Sequence, residues 1–435
     1  MLRAACSAPG AYRPMFLTFR FVVVLQVLLQ ASLWAMCATG ATSPAPADSS
    51  AAAIAFLQAK VKSDPDDIIA LNALTDRYLA RLRESGDDTD LALAEASARR
   101  SLEALPAEMN VAGLAGQVRV DYSGHRFERA RIGAQRLATL APGKSYSYLL
   151  LGDAAFEFGR YDDAAAAYER ARRIEGVTVE TESRAARIAL IHGRTKQAQQ
   201  HFSNALRLAQ KMTMPSPELI AWCSTQLGQF WLGRGEWREA EAQYQLALIS
   251  MPESVLALEH LAELRGAQGK YETAVELYQQ VLKRSHRPEF RQALGDLYAF
   301  MGKPAEAKRW HDEAVRGYDA SVESGHVHYF HHLAGFYADS RPDGVKALRW
   351  ALADLQLRQS VSALDGVAWA QYQVQKFTEA KVNIDKALAS GVDDAHVLYH
   401  ASLIHSLAGD VVGGAALLQR AVKANPRYNT FHVHR

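Results

Sequence analysis

The side chains with the most chemical scope are the histidines, and they are unevenly placed: ten of the 15 lie from His311 onward. His328, His331 and His332 fall within Gly325-His326-Val327-His328-Tyr329-Phe330-His331-His332. On a helix their spacings of three and four put the imidazoles on one side, where they could converge on a transition metal. His396, further along, could join them. No acidic residue stands at matching spacing, so the plainer reading makes them half-buried or surface residues that pack or recognise a partner. Cys223 is the one thiol outside the N-terminal leader, and it suits packing as a small buried residue. Ala141-Pro142-Gly143-Lys144-Ser145 looks like the end of a phosphate-cradling loop, but Ala138 stands where that loop needs its first glycine. The sequence has no H-E-x-x-H, G-x-S-x-G, C-x-x-C or G-x-G-x-x-G. These residues therefore indicate a binding protein that is not an enzyme and needs no cofactor. A bound transition metal is the alternative, and an enzyme assembled from distant parts of the chain is a further one.

Composition narrows the partner. Lys plus Arg number 49 against 47 Asp plus Glu, a near balance. Arg3, Arg13 and Arg20 precede every acidic residue, so removal of the leader leaves 46 basic residues against 47 acidic ones. A binder of phosphate backbones usually carries a basic excess, so no nucleic-acid partner is expected. The three arginines, the apolar run Phe21 to Leu29 and the small residues Ala35, Ala38, Gly40 and Ala41 follow the order of an export signal. This predicts cleavage after Gly40 or Ala41 and a secreted or periplasmic chain with no membrane span. The alternative is an uncleaved inner-membrane anchor over residues 21–38. Residues 42–53, with Pro44 and Pro46 among Ser and Ala, read as a flexible tether.

The elements that must position any site emerge from a repeat. Aligned on one small residue, the chain gives Ala130, Ala164, Ala198, Ala240, Ala274, Ala307, Ala347, Ala380 and Gly414, at intervals of 34, 34, 42, 34, 33, 40, 33 and 34. Four residues after this anchor come Tyr168, Phe202, Tyr244 and Tyr278, and seven after it Ala171, Ala205, Ala247, Ala314, Ala387 and Ala421. These offsets share one helical stripe. On the preceding helix, Leu151-Gly152, Leu227-Gly228 and Leu294-Gly295 supply a second small residue, so two helices can approach closely. Gly159, Gly193, Gly235, Gly269, Gly302 and Gly409 break the chain between the stripes, and Pro106, Pro142, Pro252, Pro288 and Pro426 break it after the second. The unit is helix, Gly turn, helix, Pro turn.

This pattern resembles the tetratricopeptide repeat family, most fully in Leu227, Gly228, Trp231, Ala240, Tyr244, Ala247 and Pro252. The resemblance covers about residues 110–428 in nine units, with a degenerate one before them marked by Leu71, Leu74, Tyr78, Ala96 and Pro106. It implies an all-α, right-handed solenoid of stacked antiparallel helix pairs that acts as a protein or peptide scaffold. The two long steps suggest soft joints, dividing the array into 54–212, 213–320 and 321–435. By resemblance, the first helix of each pair lines a concave groove, which places Asp153, Gln229, Glu263, Asp296, His328, His331, Trp369 and Tyr399 on its inner face. An acidic middle and an aromatic, histidine-rich C-terminal part would favour a basic or histidine-pairing peptide. The metal alternative uses His328, His331, His332 and His396.

Overall fold

The computed structural model describes residues 49–432, and among them every regular element is a helix. The expected leader, residues 1–41, lies outside the described residues. Of the expected tether, residues 42–48 also lie outside them, and 49–53 are helical instead, because α1 (Ser49–Ser63) begins there on a run of alanines, the best helix formers. No described helix is long and apolar enough to cross a membrane.

Residues Phe56–Arg435 form one compact unit. Ten helix pairs follow α1. The first two are α2 (Ile68–Ser85) with α3 (Asp88–Ala104) and α4 (Val111–Ser123) with α5 (Phe127–Leu140). Next come α6 (Ser145–Glu157) with α7 (Tyr161–Glu175), and α8 (Val179–Ile191) with α9 (Thr195–Gln210). The middle pairs are α10 (Pro217–Gly233) with α11 (Trp237–Ser250), α12 (Val255–Ala267) with α13 (Tyr271–Leu282), and α14 (Pro288–Phe300) with α15 (Pro304–Glu323). The last are α16 (Phe330–Gly335) with α17 (Gly344–Leu357), α18 (Val361–Gln373) with α19 (Phe377–Leu388), and α20 (Ala395–Leu407) with α21 (Val411–Ala424).

The periodic stripe is the interior of this stack. Ala130, Ala164, Ala198, Ala240, Ala274, Ala347 and Ala380 are all 0% exposed. Tyr168, Phe202, Tyr244 and Tyr278 are buried beside them, each ring contributing about 2 kcal/mol by leaving water. Small residues on the partner helix admit these rings: a Cβ on Gly228 would collide with the ring of Tyr244. At Gly295 the ring filling this place is His311.

The two long steps are absorbed without breaking the stack. After α9 the chain crosses residues 211–216, and Ser216 then caps α10, whose first residue is Pro217. The 40-residue step lengthens α15 to 20 residues and runs α16 into a single π-turn, Phe336–Ser340. A division at 320 therefore falls inside the continuous helix α15, whose stripe extends through buried Tyr318 and Ser321. The same step moves His328 off a helix. Gly325, at φ 83°, ends the previous turn, and α16 starts only at Phe330, so His328 lies in a turn and does not share a helical face with His331 and His332.

Candidate functional site

The site arises where the stack winds back onto itself. Between α6 and α7, Gly159 has φ 68°, and the amide of Arg160 donates to the carbonyl of Ala155 at 3.0 Å, the closing bond of a Schellman motif. This turn meets residues about 200 further along the chain. The Gln359 amide donates to the Glu157 carbonyl at 2.8 Å, and the Val361 amide donates to the Tyr161 hydroxyl at 2.8 Å. A Cβ on Gly159 would stand 2.6 Å from the Gln359 carbonyl oxygen, so only glycine permits this approach.

Equivalent contacts recur as a ladder. Ser85 accepts from the His286 amide at 2.9 Å and the Ser285 hydroxyl at 2.8 Å. Gly193 meets Gly391, and His192 Nδ1 donates to the Ser390 carbonyl at 2.9 Å. Arg234 donates to the Asp393 carbonyl at 2.8 Å, and Arg427 to the Gly235 carbonyl. The turns inside the first five pairs thus touch the loops that enter or leave pairs about five places on. The array is a superhelix whose successive turns are in contact.

This closure turns the concave side into a cavity of about 780 Å³. Side chains from both turns line it, among them Arg187, Gln229, His331, Asp365, Trp369 and His396. On the C-terminal wall, Trp369 is sandwiched between His400, at 4.1 Å between ring centroids, and Tyr372 at 4.7 Å, and its indole N–H donates to Asp339 at 3.0 Å. Both Asp365 oxygens lie 3.1 Å from His400 Nδ1. Burial works to lower the His400 pKa, but the facing Asp365 outweighs it and holds the imidazole above its ordinary value. On the opposite wall Arg187 lies over Phe156 at 4.1 Å and reaches Glu157 at 3.6 Å. Arg358 bridges the turns, with Nε 3.0 Å from one Asp354 oxygen and Nη1 3.5 Å from Glu157. Burial pushes the Asp354 carboxyl above its usual range against the pull of this guanidinium.

The residues proposed from sequence divide into two sets. Gln229, His331, His332, Trp369 and His396 line the cavity. Asp153, Glu263 and Asp296 are engaged within the chain. Asp153 accepts from Arg184 at 2.6 Å and from Tyr168 at 2.9 Å. Glu263 pairs with His260 at 3.3 Å and with His432 of the C-terminal tail, and Asp296 pairs with His311 at 2.8 Å. His328 turns to Asp88, at 3.1 Å, and Tyr399 packs on Tyr428 at 5.3 Å. Of the four histidines considered as metal ligands, only His331 enters a cluster spaced for a metal, and its companions are His125 and Asp354. Cys223 is buried, which pushes its thiol up to about 12.

Sequence reasoning missed His125, Asp354 and Arg358. For His125 a signal existed: it stands five residues before the anchor Ala130, the place held by Gly159 before Ala164 and by Gly193 before Ala198.

Comparison with known proteins agrees with the geometry. Residues 221–329 match the model of a tetratricopeptide repeat-like domain, and residues 115–176 and 368–429 match a tetratricopeptide repeat. Together these matches span more than half of the chain, which belongs to the tetratricopeptide repeat family. Such arrays are scaffolds for protein interaction. No curated protein matches the sequence. Among solved structures, the human IFIT1 dimer with PPP-AAAA is similar at 14% identity over 82% of this chain and 95% of that one, with a TM-score of 0.45. The Cut9–Hcn1 hetero-tetramer of APC/C is similar at 12% identity over 94% of this chain and 92% of that one, with a TM-score of 0.37. MamA is similar at 19% identity over 40% of this chain and 97% of that one, with a TM-score of 0.31. At these scores the likenesses say nothing of what this chain binds.

Proposed function

We propose that this protein is an exported tetratricopeptide scaffold that admits a short protein segment, such as a chain end or loop tip, into its interior chamber. The observation that carries this reading is the contact between superhelical turns, which gives the expected concave groove a second wall around a space of about 780 Å³. A space of that size surrounds a few side chains, which suits the end of a chain or the tip of a loop. Its walls are already ordered, Trp369 by His400 and Tyr372, Arg187 by Phe156 and Glu157, so little entropy is lost there on binding. Six acidic residues, Glu157, Asp339, Asp354, Asp365, Asp393 and Asp394, line the chamber against the three arginines Arg187, Arg234 and Arg358, a balance that favours a segment carrying a basic or imidazole group.

A photo-crosslinking residue placed at Gln229, inside the chamber, and at Val412, 83% exposed on the outside, tests this in the native envelope fraction. Capture of one partner from Gln229, reduced by Trp369→Ala, is the expected result. Capture from Val412 alone contradicts it. Export rests on the leader, and sequencing the mature N-terminus checks it: a chain starting after Gly40 or Ala41 is expected, whereas an intact leader in the membrane fraction gives the form anchored by residues 21–38.

A further inference from the structure

The ladder between the superhelical turns has one exceptional rung. At the place where the others put glycine, the chain has His125, at φ 55°, a conformation that costs a side-chain-bearing residue strain. The Schellman bond is nonetheless kept, with the Arg126 amide donating to the Asp121 carbonyl at 2.8 Å. This backbone aims an imidazole across the gap. It lies over Phe127 at 4.9 Å and faces His331 of the next turn at 5.6 Å.

We propose that His125, His331 and Asp354 form a site for a divalent transition-metal ion, zinc first, that fastens one superhelical turn to the next. One ligand atom from each of the three lies within 4.8 Å of the others. Donors around zinc stand about 3.3 Å apart, from bonds of 2.0 to 2.2 Å, so closing the site requires movements of roughly 1 Å. Nδ1 of His125 and Nδ1 of His331 are both buried without a hydrogen-bond partner, a rare condition for polar atoms that has a reason wherever it persists. Two imidazoles and a carboxylate are a donor set that zinc and ferrous iron both accept. Arg358 Nε donates to Asp354 and fixes its carboxylate, and Glu157 offsets the charge of the guanidinium. His331 and Asp354 also line the chamber, so the remaining coordination position opens there.

A second cluster, Glu259, His260 and Glu263, has similar spacing, but its members sit on α12 and already bond to Gln229 and His432. It serves as the internal control. Protein purified without a tag and stripped with chelator is dialysed against zinc, or against ferrous iron without oxygen, and assayed for metal by elemental analysis and for Tm. About one ion per chain, with a raised Tm, is expected in the wild type and in Glu263→Gln. His331→Ala and Asp354→Asn should bind at least about tenfold more weakly. His125→Gly, which suits the local backbone, keeps the test open if either of those variants fails to fold. Absence of stoichiometric metal from the folded wild type overturns the proposal whatever the variants do. So does full binding by a folded His331→Ala, or loss of the ion in Glu263→Gln alone.

Discussion

At Gly193 and at His125 the same turn of the repeat meets the next superhelical turn, by opposite means. Gly193 brings backbone to backbone, with no room for a Cβ beside the Gly391 carbonyl. His125 keeps the same left-handed conformation but fills the gap with a ring that faces His331. Between them the Gly159 rung combines close backbone contact with charge, since Arg358 reaches both Glu157 and Asp354. The comparison shows that turn-to-turn contact is a general property of this array. The side chains at each rung decide whether the contact is only structural or also chemical.

The largest effect should come from the charged rung. Arg358→Ala leaves Asp354 buried without its cation, and a loss of about 4 kcal/mol in unfolding free energy is expected from the urea midpoint. Gly193→Ala should cost about 3 kcal/mol, adding a clash across the gap to the strain of a left-handed alanine. Gly269 also has positive φ but meets nothing across a gap, so Gly269→Ala should cost only about 1 kcal/mol. Equal costs at the two glycines would break the comparison. His125→Gly relieves backbone strain while losing ring packing, so metal-free stability should change by less than about 1 kcal/mol while the zinc-dependent rise in Tm disappears.

The smallest effect belongs to the chamber wall. The pKa of His400 is raised in the folded state, so its pairing with Asp365 stabilises fully below the unfolded value of 6.5. That contribution fades as pH rises through the folded value. Groups facing the ring include Asp365, Asp339 and Asp394. His400→Gln should therefore flatten the fall of Tm above pH 6.5. A steeper fall in the variant would reverse this assignment.

The helix pairs were legible in the sequence because their interior is written locally. A small residue, a ring and a small residue at offsets of four and three need no knowledge of the rest of the chain, and Ala240, Tyr244 and Ala247 are all fully buried. The closure was not legible. Contacts such as Tyr161 with Val361 join residues 200 apart, and no periodic signal ties them. The pairing of Asp153 with Arg184 and of Asp296 with His311 is local, between neighbouring helices, but the repeat spacing marks only the small and aromatic interior and carries no sign of which polar residues pair. His328 departs from the helical spacing because Gly325, with positive φ, ends one helix and the next starts only at Phe330.

The central claim is that successive superhelical turns touch and together wall the chamber. It is tested most directly by joining Ser85→Cys to Ser285→Cys with a short bis-maleimide, since the Ser285 hydroxyl lies 2.8 Å from the Ser85 carbonyl. The account predicts rapid linkage within single chains, seen as a compacted band on a denaturing gel and abolished by prior unfolding. No linkage in the folded protein, with both thiols still reactive, would contradict it.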